Sequence, residues 1–151
     1  MYYRSVYVPG ATCFITVNLL DRKSTLLIDH VDKLRHSFQR IRQLYHFEII
    51  GIVILPDHFH MMISLPDGDS NYSLRLRLIK ALFSTQLERK EKIALSRRKK
   101  GERGIWQRRF WEHHIRDQTD YDHHLNYIHY NPVKHAYVQN ASDWPYSNAL
   151  A

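Results

Sequence analysis

"LPDHFHMMISLP", residues 55–66, reads as a β-strand that carries two histidines on one face. Side chains at i and i+2 of a strand share a face, so His58 and His60 point the same way, with Cα atoms roughly 6–7 Å apart. Phe59, Met61, Ile63 and Leu65 point the other way, toward a core. One side of an otherwise apolar strand therefore presents paired imidazoles, and the rest of the chain has to supply what they face.

Working outward, "ATCFITVNLL" (residues 11–20) reads as the first strand and "FEIIGIVIL" (47–55) as the second. Pro56-Asp57 turns the second strand into the histidine strand. Between the first two strands, Asp29 is placed to cap a helix running to about Tyr45. Val31, Leu34, Phe38, Ile41 and Tyr45 recur on it at helical spacing. After "DGDSN", a second helix is predicted from about Tyr72 to Ile93, with Leu76, Ile79, Phe83 and Leu87 inward. "SRRKKGERG" is a polar connector, and a fourth strand is expected over Arg108–Arg116. A last helix is expected to start at Thr119, where Thr119-x-x-Asp122 has the form of a capping box. Pro132 is expected to end it, because the residue before a proline avoids the helical region. The order β-α-β-β-α-β plus a terminal helix predicts an α+β, ferredoxin-like split antiparallel sheet in one domain spanning residues 1–151. Both crossover helices then cover one face. The histidines look onto the other face, where the terminal helix is placed to lie.

The chain has 151 residues and a formal net charge of +7, which favours a polyanionic partner, most simply nucleic acid. A single cysteine, Cys13, excludes an internal disulfide and a multi-cysteine zinc site. "MYYRSVYVPG" lacks the apolar core of a signal peptide, and no run approaches membrane-spanning length. The expected location is the cytoplasm, with no membrane contact.

Neutral imidazoles on one strand face form a natural pair of ligands for a metal, although two satisfied polar residues at a sheet surface would look the same. A third ligand must come from elsewhere. In "TDYDHHLNYIHYNP", Tyr121, Leu125 and Ile128 form the apolar stripe, while Tyr127 and Asn131, four residues apart, stack on a neighbouring face. His123 lies one turn before Tyr127 and is a candidate supporting residue. A phenol is a poor nucleophile unless a metal polarises its target, and an asparagine carbonyl one turn away can ligate that metal. Taken alone, Tyr127 also fits an ordinary amphipathic-helix tyrosine among ten in the chain. Arg97, Arg98, Lys99, Lys100, Arg103, Arg108 and Arg109, beside Trp106 and Trp111, suit phosphate contact with base stacking; a solvated loop is the alternative. Arg75, Arg77 and Lys80 add charge on the second helix or simply face solvent.

"LPDHFHMMISLP" followed by "WQRRFWEHHIRDQTDYDHHLNYIHYNPVKHAYV" resembles the REP-associated tyrosine transposases, single-tyrosine members of the HUH endonuclease superfamily. The His-hydrophobic-His motif is His58-Phe59-His60. The "YIxxNPVKxxxV" signature runs from Tyr127 to Val138. The likeness spans nearly the whole chain. It implies that His58 and His60 are ligands of Mg²⁺ or Mn²⁺ and that Tyr127 is the nucleophile. Asn131 stands where the wider superfamily places an amide ligand, usually glutamine, and is one methylene shorter. The implied substrate is single-stranded DNA with a REP-type hairpin, cleaved and rejoined through a 5′-phosphotyrosine. A C-terminal tail common in such proteins is expected to be missing or truncated after "WPYSNALA". Two other readings stay open: a metal nuclease using water, and a hairpin-binding protein without activity. Monomer or homodimer, and whether Tyr127 serves its own chain or a partner, also stay open.

Overall fold

In the computed structural model, the described residues are 12–87 and 104–148. The strands are β1 (Thr12–Asn18), β2 (Glu48–Ile54), β3 (His58–Ser64) and β4 (Trp111–His114). The helices are a single turn α1 (Leu26–Asp29), then α2 (Val31–Leu44), α3 (Tyr72–Thr85) and α4 (Gln118–Lys134). The strands form one sheet in the order β2-β3-β1-β4, every neighbouring pair antiparallel. This is the split βαβ arrangement, with β3 and β1 central. Among the described residues, no helix is long and apolar enough to cross a membrane.

Alternation along the strands divides the apolar side chains into two cores. Cys13, Ile15 and Val17 of β1 and Phe59, Met61 and Ile63 of β3 pack with Leu34, Phe38, Leu76, Ile79 and Phe83 of α2 and α3. On the opposite face, Phe14, Val53 and Met62 pack with Tyr121, Leu125 and Ile128 of α4. Helix α4 thus closes the face that carries His58 and His60.

Several boundaries differ from the sequence expectation. Asp29 does not cap α2; its carboxylate accepts from the Thr25 hydroxyl at 2.7 Å and closes α1, and α2 follows after His30. Tyr45 caps α2 and is exposed rather than continuing the stripe. Helix α3 ends at Thr85, where the Gln86 amide donates to Leu82 O and to Ser37 Oγ of α2. The part of the predicted helix beyond Leu87 lies outside the described residues. Strand β4 is shorter than expected, because Lys80 Nζ donates to Gln107 O at 2.9 Å and holds the preceding loop toward α3.

The cap of α4 is Asp117, not Thr119: its carboxylate accepts from Asp120 N at 2.7 Å. Pro132 lies inside α4 rather than ending it. Proline there has no N–H to give Ile128 O, and α4 continues past that one missing intrahelical bond. The end is fixed instead by a left-handed residue, Ala136 at φ 60°, with Ala136 N bonded to Val133 O and Tyr137 N to Pro132 O. That extra turn matters, because it carries Lys134 and His135 to the site.

Arg75 faces neither solvent nor DNA. It is buried and donates to the carbonyls of Tyr45, His46 and Asn71 and to Asp69, tying the end of α2 to the start of α3. Arg75→Met should leave those carbonyls without partners and lower stability by about 3 kcal/mol. Urea denaturation would show it; an unchanged midpoint would mean that the guanidinium is not the clasp.

Candidate active site

The β1–β3 register sets Thr16 opposite His60 and Asn18 opposite His58. Thr16 Oγ1 lies 2.7 Å from His60 Nδ1, and Asp57 Oδ1 lies 2.8 Å from His58 Nδ1. Arg22 in turn holds Asp57. With Nδ1–H given to these oxygens, each imidazole keeps its lone pair on Nε2. A partner on the far nitrogen is how metal-binding histidines are oriented. The two rings are 4.8 Å apart.

Helix α4 closes over this pair. The Tyr127 ring stands edge-on to His60 at 5.1 Å, and His135 stands edge-on to His58 at 5.9 Å. Asn131 lies one helical turn from both Tyr127 and His135. It is fully buried, and both its side-chain Oδ1 and Nδ2 lack a hydrogen-bond partner, as does His60 Nε2. Buried polar atoms without partners are rare and call for an explanation. Two imidazole nitrogens and an amide oxygen are a donor set that fits a divalent cation.

Electrostatics keep the imidazoles neutral. Burial pushes His60 down to about 3, helped by His58, His135 and Lys134. Burial also lowers His58, although Asp57 opposes it. For Asp57, burial alone would raise the carboxyl, but the bonds from Arg22 and His58 outweigh it and hold it below the usual range. Neutral imidazole is the ligating form.

Without a bound metal, the stability of the protein depends on pH. The unfolded chain protonates His60 near its ordinary value, the folded chain only near 3. The full stability therefore stands above about pH 6.5 and is lost as pH falls from there toward 3. By about pH 4.5 the loss from His60 should be about 3 kcal/mol. His58 and His129, also lowered by burial, add in the same direction. Denaturant midpoints measured with chelator at both ends of the window would show it, and His60→Gln should flatten the curve. A flat parent curve would contradict the prediction.

Tyr127, Phe14, Thr16, His60, Trp111 and His124 line a cavity of about 310 Å³ at the site. Lys134 Nζ lies 5.1 Å from the Tyr127 ring centroid. Tyr127 is 37% exposed, whereas Tyr121 is in the core and Tyr130 is on the outer side. Of the expected site residues, His58, His60 and Tyr127 have their rings side by side and Asn131 is buried one helical turn from Tyr127, whereas His123 is exposed. The residue beside the site is His124. At about 100° per residue, His124 sits about 60° from the buried Tyr121 direction and His123 about 160° from it.

The residues expected to contact DNA divide. Arg108 and Arg109 are exposed and line a cleft of about 380 Å³ with Arg77, Lys80, Ser73 and Phe110. Trp106 is not available to a base: it is buried against Phe59 and Phe83, and its Nε1 donates to Lys80 O and Ser84 Oγ. The exposed indole is Trp111, 55% exposed. Arg97, Arg98, Lys99, Lys100 and Arg103 lie outside the described residues.

Thr16, Asp57, Lys134 and His135 were not singled out by sequence reasoning. Asp57 adjoins His58, and His135 is one turn beyond Asn131, so both had a local signal. Thr16 had none, because only strand register places it. Among the described residues, two other groupings bring donor atoms within 4.8 Å of one another: His113, Asp120 and His124, and Cys13, Glu112 and His114.

Residues 14–131 match the family model "Transposase IS200 like". The chain is 44% identical over 147 residues to a REP-associated tyrosine transposase of Haemophilus influenzae, covering 97% of this chain and 84% of the relative. It is 43% identical over 145 residues to that of Escherichia coli, covering 96% and 80%. A solved REP-associated tyrosine transposase bound to a REP hairpin superposes with TM-score 0.77 at 43% identity, over 97% of this chain and 81% of that one. A transposase-like protein of Deinococcus radiodurans, at 12% identity and TM-score 0.52, covers 81% of this chain and 92% of that one and shares the fold. The chain therefore belongs to the IS200-like transposase family, enzymes that cleave and join DNA.

Proposed function

We propose that this protein nicks and rejoins single-stranded DNA at REP-type hairpins through a 5′-phosphotyrosine on Tyr127. The observation that carries the reading is the placement of the Tyr127 ring over His60, with unpartnered His60 Nε2 and Asn131 Oδ1 buried beside it. The relatives' hairpin and tyrosine names support the substrate and the nucleophile.

His58, His60 and Asn131 would hold Mg²⁺ or Mn²⁺, and imidazole ligation favours Mn²⁺. When bound, the ion supplies Lewis-acid charge to a non-bridging phosphate oxygen. The Tyr127 oxygen attacks phosphorus, a Tyr127 O–P bond forms, and the bond from phosphorus to the 3′ oxygen breaks. One phosphoester replaces another, so the 3′-OH can reverse the step without ATP. Lys134, against the Tyr127 ring, adds positive charge where the phosphate must sit. Arg108, Arg109 and Arg77 offer phosphate contacts along the cleft, and exposed Trp111 offers a stacking surface.

Incubation with labelled single-stranded hairpin DNA and Mn²⁺, then a denaturing gel, tests the reading. A protein-linked labelled band is expected. Cleavage without that band would favour a water nuclease, and binding without cleavage a hairpin-binding protein.

A further inference from the structure

We propose that His124, oriented by Asp120, is the general acid–base of this reaction; the inference rests on the phosphotyrosine reading above. A group must take the phenolic proton as Tyr127 attacks and give one to the departing 3′ oxygen. The His58 and His60 lone pairs belong to the proposed metal site. His124 lines the same cavity as Tyr127 and lies one turn before it on α4.

The hydrogen bonds fix its tautomer. His124 Nδ1 is 2.9 Å from the Asp120 carbonyl oxygen and 3.1 Å from its carboxylate Oδ1. A carbonyl oxygen can only accept, so Nδ1 carries the hydrogen and the neutral ring keeps its lone pair on Nε2, on the opposite side. Asp120 is itself buried and held by Arg116 N at 2.9 Å and His113 Nε2 at 2.8 Å. The ring plane is clamped by His113, stacked at 4.6 Å, and by Phe14 at 4.8 Å. A buried carboxylate that orients an imidazole and stabilises its protonated form is the arrangement of an acid–base dyad.

The step balances. The proton leaves the Tyr127 hydroxyl for His124 Nε2 as the O–P bond forms. In-line attack leaves the 3′ oxygen on the far side of phosphorus from Tyr127, so the proton passes from Nε2 to it through an intervening water as the P–O bond breaks, giving the free 3′-OH. Reversal runs the same transfers backward, so one residue serves both cleavage and joining.

The test compares natural hairpin DNA with DNA carrying sulfur in place of the scissile 3′ oxygen. A thiolate leaves far more readily without a proton than an alkoxide. His124→Gln should cut the natural strand about 100-fold or more slowly, with hairpin binding unchanged. On the sulfur substrate its defect should shrink at least about tenfold, because the donor half of the role is dispensable there. An equal defect on both substrates, or a variant cleaving natural DNA at a rate close to the parent's, would overturn the proposal. If the glutamine variant does not fold, His124→Ala with added imidazole takes its place: recovery of cleavage is expected, and none would count against the role. Tyr127→Phe, run in parallel, should be inactive on both substrates. If it cleaves, the phosphotyrosine reading fails; if it is inactive while His124→Gln is normal, the acid–base proposal fails alone.

Discussion

Tyr127→Phe should abolish both strand cleavage and the covalent protein–DNA band, a loss on the order of 10⁴-fold or more, as for other removed nucleophiles. The substitution takes away one oxygen and keeps the ring that packs on Phe14 and His60. The residue is more than a third exposed, so stability should change by no more than about 0.5 kcal/mol. Tyr130→Phe, on the outer side of α4, should retain the adduct. Mass spectrometry of the nuclease-trimmed adduct gives the decisive map. A nucleotide remnant on a peptide that lacks Tyr127 would remove it as nucleophile, and a cleaving Tyr127→Phe variant would shift weight to a water nuclease.

His58→Ala and His60→Ala should each reduce cleavage by at least about 100-fold, the scale of losing one electrostatic stabiliser of the transition state. Hairpin affinity should persist, because the proposed DNA contacts lie in the basic cleft and on Trp111 rather than on the imidazoles. Asp57→Asn should give a milder loss, about tenfold in metal affinity, since it orients His58 without ligating. Calorimetric titration with Mn²⁺ separates these effects from cleavage. Full cleavage by either histidine variant would refute the ligand assignment. Loss of the circular dichroism signal would make the histidines structural instead.

Much of this site was legible in the sequence because it obeys local periodicities. The two-residue repeat of a strand put His58 and His60 on one face and Phe59, Met61 and Ile63 on the other, and the two cores follow that division. The helical repeat put Asn131 one turn from Tyr127 and separated Tyr127 from Tyr121 and Tyr130. These relations hold wherever the segment ends up.

What the sequence did not decide depends on how elements meet. Thr16 reaches His60 through strand register, a relation between residues 44 apart in the chain. The rotation of α4 against the sheet selected His124 over its neighbour His123, although both are about one turn from Tyr127. Trp106 and Arg75 have the composition of a DNA surface, but the core needed a large ring beside Phe59 and the end of α2 needed donors. Pro132 marks a helix end by local rule, yet packing and the left-handed turn at Ala136 carried α4 past it. The sequence by itself therefore determined which side chains share a face, because that is set by backbone geometry over a few bonds. Only the tertiary structure decided which face meets which, because that depends on non-local packing, and this is what brought Thr16, His124, Lys134 and His135 to the site.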